Sequence, residues 1–310
     1  MKLATTIGEM DGYCQTEEEA VRAYEGTGFR HLDYSFYRSN YPGSPFMGKD
    51  WMKSITDAAK TAERLGFDFV QAHSPGNDWF GRDDEQTVTE GNLRAIEACG
   101  YLGIKNLVVH SGRCNDYLYP RDWQEYLQQI RHFYETLYPA MEKYGVNVLA
   151  ENYIPGGPGV CSLYRAGDLL ELLEVCGHPL LGICWDVGHG NLIEPDKQYE
   201  QITALGTHLK AVHIQDNFGY HDDHICPLVG TLDVDGVMRG LKDNGFIDRG
   251  GVFTFEADNL ISHRHSWPNA RHENGAAVAA EPTLAVKQAA VRMLYEIGKS
   301  ILTQYDCFED

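Results

Sequence analysis

No stretch of this sequence approaches the roughly 18 consecutive apolar residues that a membrane-spanning helix needs, so no membrane partner is expected. The apolar run after Met1 is too short for a signal peptide, which makes a cytoplasmic location the expectation. Basic residues are scarce: 26 Lys and Arg stand against 45 Asp and Glu, a formal net charge of -19. A chain with that balance and no basic run would repel a phosphate backbone, so no nucleic-acid partner is expected. Cys-x-x-Cys spacing is missing among the eight cysteines, and a chain of this size needs no disulfide staples; reduced, mostly buried thiols are the reading. Low-complexity tracts and Pro/Gly/Ser linkers are also missing, so residues 1–310 read as a single domain. Without a Gly-rich phosphate loop, an unphosphorylated ligand is favoured.

What is present is alternation. Short β-branched apolar runs at 3–7, 31–35, 69–73, 106–110, 146–151, 181–186, 209–214 and 252–256 each precede a helical stretch. The helices are expected from near Thr16 and over 50–65, 84–102, 123–144, 165–176, 197–205, 234–244 and 283–302. Gly28, Gly66, Gly103, Gly145, Gly177, Gly206 and Gly245 fall after a helix and before the next strand, where an αβ turn wants a C-capping glycine. Eight right-handed βα units in 310 residues predict a (β/α)8 TIM barrel. Long connections follow strands seven (215–232) and eight (a lid-like loop at about 257–282), and long loops in compact domains usually bind or cover a ligand.

Working residues of such barrels sit at the C-terminal ends of strands. Six successive strands end in or near a metal-capable side chain: His73, His110, Glu151, Asp186, His213 and Glu256. Three carboxylates and an imidazole brought within a few ångströms raise one another's proton affinity unless a cation lies among them. Glu151, Asp186, His213 and Glu256 therefore predict one divalent ion. An oxygen-rich shell with one histidine suits Mn2+ best, with Co2+, Mg2+ or Zn2+ as alternatives. His189, three residues beyond Asp186, and the Asp222-Asp223-His224 stretch could touch substrate or hold a second metal. His31, His132, His178 and His208 read as structural, and the lid histidines His263, His265 and His272 as solvated. Tyr34, Phe36, Tyr37, Trp79, Phe80, Trp185 and Trp267 could stack on a sugar ring or simply pack.

The strings Ala150-Glu151-Asn152, Trp185-Asp186-Val187-Gly188-His189, Val212-His213-Ile214-Gln215-Asp216, 222–230 with Thr231-Leu232-Asp233, and Thr254-Phe255-Glu256 resemble the xylose-isomerase-like superfamily over nearly the whole chain. The sugar isomerase/epimerase branch, with its ketose 3-epimerases, implies Mn2+ or Co2+ at the four positions named. It also implies Glu151 and Glu256 as the acid/base pair, with His189 and the His224 loop near substrate or metal. On that reading a ketose or 3-oxo-sugar reacts through an enediolate.

The endonuclease IV branch implies three zinc ions on nine ligands. All nine have a counterpart here: His73, His110, Glu151, Asp186, His189, His213, Asp222, His224 and Glu256. The acidic balance weighs against duplex DNA as substrate. A third branch, the C-glycoside deglycosidases, pairs a similar barrel with a small second subunit and is faintly matched by Gly26-Thr27-Gly28-Phe29 and 32–37. A homo-oligomer and a silent sugar-binding or partner subunit complete the expectations.

Overall fold

Alternating β-branched runs and amphipathic segments do form strand–helix units. The computed structural model describes residues 1–40, 43–76, 85–111, 116–154, 157–261 and 282–309. Eight parallel strands close into a barrel in chain order, with β1 (Lys2–Thr6) pairing both β2 (His31–Ser35) and β8 (Val252–Phe255). Between them run β3 (Asp68–His73), β4 (Asn106–Val108), β5 (Asn147–Glu151), β6 (Leu181–Asp186) and β7 (Leu209–Ile214).

Helices cover the outside. α1 (Glu17–Arg22) follows a 3-10 turn at Ile7–Met10; then come α2 (Met52–Leu65), α3 (Glu85–Leu102), α4 (Trp123–Glu135), α5 (Tyr138–Tyr144) and α6 (Ala166–Cys176). α7 (Val187–Ile193), α8 (Gln198–Ala204), α9 (Val234–Asp243) and α10 (Leu284–Gln304) complete the ring. α4 shows why: Trp123, Tyr126, Leu127, Ile130, Phe133 and Tyr134 recur at helical spacing and are all buried.

Three boundaries differ from the sequence reading. The single helix expected over 123–144 breaks between Glu135 and Tyr138, because Pro139 lacks the N–H a helix interior needs and settles in the first turn of α5. β4 ends at Val108, two residues short, so His110 stands on the loop above its strand. α7 was not anticipated; it starts directly after β6 with Asp186 as its N-cap. All seven expected glycines have positive φ, and at Gly66 and Gly177 the left-handed backbone closes α2 and α6.

The barrel interior has two halves. Val108, Leu149, Cys184 and Ala211 form an apolar cluster under one side of the mouth. Opposite them Asp33, Gln71 and Thr254 are buried, and Thr254 Oγ1 lies 3.4 Å from Gln71 Oε1 across the interior. Seven described cysteines carry free thiols, six of them buried. Among the described residues no helix is long and apolar enough to cross a membrane. Trp79, Phe80, Cys114, His263, His265, Trp267 and His272 lie outside the described residues.

Candidate metal centre

Register places the candidate ligands level with one another. Asp186 pairs with His213 and His213 with Thr254, so the ends of β6, β7 and β8 finish in one plane. Glu256 lies one residue past β8 but stays in register, its N–H donating to Ile214 O at 3.1 Å. Strand alternation turns Glu151, Asp186 and His213 to the barrel axis.

Ligand atoms of Glu151, Asp186, His213 and Glu256 all lie within 4.8 Å of one another. His213 Nδ1 is 2.6 Å from Glu151 Oε1 and 3.1 Å from Glu256 Oε2. Three further groups among the described residues meet the same geometric limit: His73, His110 and Glu151; His189, Asp222 and His224; and Glu151, Cys184 and His213. In the first, His110 Nε2 is 2.6 Å from Glu151 Oε2 and 3.3 Å from His73 Nε2. In the second, Asp222 Oδ2 lies 3.2 Å from His189 Nε2 and 3.1 Å from His224 Nε2.

The rings are held from behind. Nδ1 of His73 donates to Ser74 O (2.9 Å), that of His189 to Asn152 O (2.8 Å) and that of His224 to Glu256 O (2.9 Å), so each turns its Nε2 toward the group it joins. Outer hydrogen bonds of this kind orient metal-ligating imidazoles. Asn152 also clamps the end of β6, accepting from Asp186 N (2.6 Å) and donating to Asp186 O (2.8 Å). Gln215 Nε2 bridges Asp222 Oδ1 (2.8 Å) and Asp186 Oδ1 (3.3 Å). Asp216 accepts from the backbone N–H of Asn217, Gly230 and Leu232, closing the loop that carries Asp222 and His224.

Charge distribution follows from this crowding. Burial, reinforced by Glu151, Glu256 and Asp222 against the opposing pull of His189, pushes Asp186 up to about 7. Burial works against ionisation of Glu256 too, yet His213 beside it brings it down to about 2. Glu151 is likewise held well below its ordinary value, burial being outweighed by His213 and His110. For His189 burial opposes the charge, but Asp186 and Asp222 raise it to about 10. Glu151 and Glu256 are thus held ionised by the neighbouring imidazoles, whereas Asp186 is not.

A divalent cation fits this donor set. Asp186 Oδ1 is occupied by His189 N (2.6 Å), whereas Asp186 Oδ2 is buried with no hydrogen-bond donor. An unpaired buried carboxylate oxygen facing two glutamates and an imidazole is costly without a positive partner.

Above the four residues opens a cavity of about 330 Å³ whose lining includes His110, His189, Asp222, His224 and Glu256 together with Tyr37, Arg38 and Tyr153. Glu256 reaches it with 18% of its side chain exposed, whereas Glu151 is sealed at 1%. The aromatic expectation needs correction. Trp185, a candidate for stacking on substrate or for packing, packs: it alternates outward from Asp186, is 1% exposed, and donates its Nε1–H to Gln198 Oε1 at 3.2 Å. Tyr34 and Phe36 pack on each other in the core. Tyr37 does face the cavity, edge-on to His73. His31 pairs with Asp68, and His178 stacks on Tyr138.

Residues the sequence reading did not single out include Asn152 and Gln215. Both stood inside the quoted motifs, next to a ligand candidate, which was the available signal. Tyr153, Arg38, Asp11 and Asp258 reach the cavity only through tertiary structure.

Comparison with known proteins places the chain in a family. An uncharacterized Methanocaldococcus jannaschii protein is 31% identical over 171 residues, 54% of this chain and 55% of that protein. An uncharacterized Sinorhizobium fredii protein is 44% identical over 101 residues, 33% of this chain and 28% of that one. The chain thus spans about half or less of the curated relatives it matches. Among solved structures, Escherichia coli 3-keto-D-glucoside 4-epimerase YcjR superposes with a TM-score of 0.67 at 17% identity, covering 96% and 99% of the two chains. A D-psicose 3-epimerase gives 0.70 at 14%, covering 97% and 99%. The IOLI protein, solved with a zinc atom, gives 0.68 at 16%, covering 98% and 99%. These likenesses, below 25% identity, concern the fold. The family model described as xylose isomerase-like TIM barrel matches residues 21–279, and the chain belongs to that family.

Proposed function

We propose that the protein is a divalent-metal-dependent isomerase or epimerase of a ketose or 3-oxo-sugar. The observation that carries this is the convergence of Glu151, Asp186, His213 and Glu256 with one buried Asp186 oxygen unpartnered. Those four residues would hold the cation, Mn2+ by preference given three carboxylates and one imidazole. When bound, the cation supplies Lewis-acid stabilisation of the negative charge that develops on a sugar carbonyl oxygen.

The chain's own groups do the rest. Glu256, at the cavity wall, takes the proton from the carbon beside the carbonyl; Glu151, the partner expected for its return on the opposite face, lies sealed beneath the cavity. His189, Asp222 and His224 line the cavity where the sugar hydroxyls would lie. The same proton removal in a 3-oxo-glycoside permits elimination of the aglycone, so lyase chemistry needs no different acid/base set. A small-molecule sugar substrate, a cytoplasmic location and no nucleic-acid partner belong to the same reading. The supporting analogy is that structural neighbours are sugar epimerases.

The test is solvent exchange. Manganese-loaded protein incubated in deuterated water with a panel of ketoses and 3-oxo-sugars should place deuterium on the carbon next to the carbonyl. Glu256→Gln should slow that exchange about 10²- to 10⁴-fold, the range for a lost general acid/base. No exchange with any sugar contradicts the reading.

One observation favours a second reading. The groups that contain Glu151 and the separate set of His189, Asp222 and His224 give the mouth donors for more than one cation. A multinuclear centre acting on a phosphodiester would show about three cations per chain and cleavage of an abasic-site duplex.

A further inference from the structure

We propose that the substrate is a glycoside, and that a second chamber beside the metal cavity holds the substituent on its anomeric carbon; this rests on the sugar-directed reading above. The chamber measures about 480 Å³, against about 330 Å³ for the metal cavity. The two share a wall made of Gly8, Asp11, Ser35 and Arg38. They are therefore neighbouring compartments of one depression, divided at the ion pair between Arg38 Nε and Asp11 Oδ2 (2.9 Å).

Gly8 belongs to the shared wall. Its backbone is not left-handed, so its conformation makes no demand for glycine. A Cβ there would stand 3.2 Å from Thr6 Oγ1 and 3.3 Å from Ser35 Oγ, both lining the metal cavity. What the position uses is the missing side chain, which lets the Thr6 and Ser35 hydroxyls pack closely against the wall the two compartments share.

The two compartments differ in character. Around the metal cavity the walls are imidazoles and carboxylates, suited to hydroxyl and carbonyl groups. In the second chamber Ile7, Met10, Ala20 and Pro45 give small apolar patches in a lining that is otherwise polar, with Gln15, Glu17 and Ser54 around them. That mixture matches a ring with a flat apolar face, an aryl group or another pyranose. Small-ligand sites run to about 300–1,000 Å³, so the metal cavity already suits one sugar ring and the chamber is surplus for a free ketose. Binding energy gathered on such a remote group can be used to hold the reacting carbon in place.

The experiment is isothermal titration of manganese-loaded protein with 3-oxo-glucose, its methyl glycoside and its phenyl glycoside. The phenyl glycoside should bind about tenfold tighter than the other two. That advantage should shrink to less than about threefold in Ser54→Phe and in Gln15→Trp, which fill the chamber from α2 and from an exposed position before α1. Equal affinity for the three sugars, no binding by any of them, or an advantage that survives both substitutions overturns the proposal. Bound sugars whose protons do not exchange with solvent would contradict the isomerase reading and leave the glycoside chamber standing.

Discussion

At Asp186 one carboxylate oxygen caps α7 through His189 N, and the other is buried without a donor. The two jobs can be separated. Asparagine caps helices nearly as well as aspartate, so Asp186→Asn should change stability by less than about 1 kcal/mol while removing cation binding. Differential scanning with and without Mn2+ checks both halves: the variant should melt near wild type without metal and gain nothing from adding it.

Asp33 offers a different residue-scale test. It is 1% exposed, neither oxygen has a hydrogen-bond partner of good geometry, and burial, against the pull of His213 and His73, raises it from 3.8 to about 6. A carboxyl raised in the fold is harmless while protonated, below its unfolded value near 3.8, and penalises the fold increasingly as pH rises through about 6. The gap corresponds to roughly 3 kcal/mol at most. Asp33→Asn should therefore stabilise the metal-free protein above pH 6 and leave it unchanged near pH 4. Urea midpoints at the two pH values decide; an equal effect at both contradicts the assignment.

Among the elements, α10 is tied to the mouth by one buried charge. Lys287 Nζ lies 2.5 Å from Glu9 Oε2 and donates to Leu260 O at 2.6 Å, with both side chains fully buried. The lysine thereby fixes the segment after β8 that carries Asp258, whose Oδ1 lies 3.2 Å from His224 Nδ1. Lys287→Met should cost about 3–5 kcal/mol, because Glu9 is left as a buried unpaired charge. The double variant with Glu9→Gln should recover a large part of that loss. Additive single effects in urea denaturation would show that the pair does not act as a unit.

Elements also show what a linear reading can hold. Eight strands, their order and the rim positions of Glu151, Asp186, His213 and Glu256 follow from local periodicity and turn glycines, which are properties of adjacent residues. The break at Pro139 was equally local and was passed over. α7 was hidden because its cap, Asp186, had already been read as a ligand. Trp185 was misplaced by adjacency alone; one step of strand alternation separates it from the axis. Arg38, Asp11 and the Asp33–Gln71–Thr254 interior depend on strands far apart in sequence, and no local signal marks them.

For the whole molecule, the account makes the barrel a frame that forces acidic groups together at one end, with imidazolium protons standing in for a cation. Burial disfavours the charge on His213, yet Glu256 and Glu151 are among the groups that raise it well above its ordinary value, so a cation must displace a proton to enter. Affinity should consequently rise with pH. The most direct measurement is calorimetric titration of metal-free protein with Mn2+ at pH 6.5 and 8, in buffers of different ionisation enthalpy, for wild type and Asp186→Asn. The account predicts a tight site in wild type that releases about one proton or more, binds more strongly at pH 8, and is weakened at least about 100-fold in the variant. Binding that is absent from wild type, or equally strong in Asp186→Asn, would contradict it.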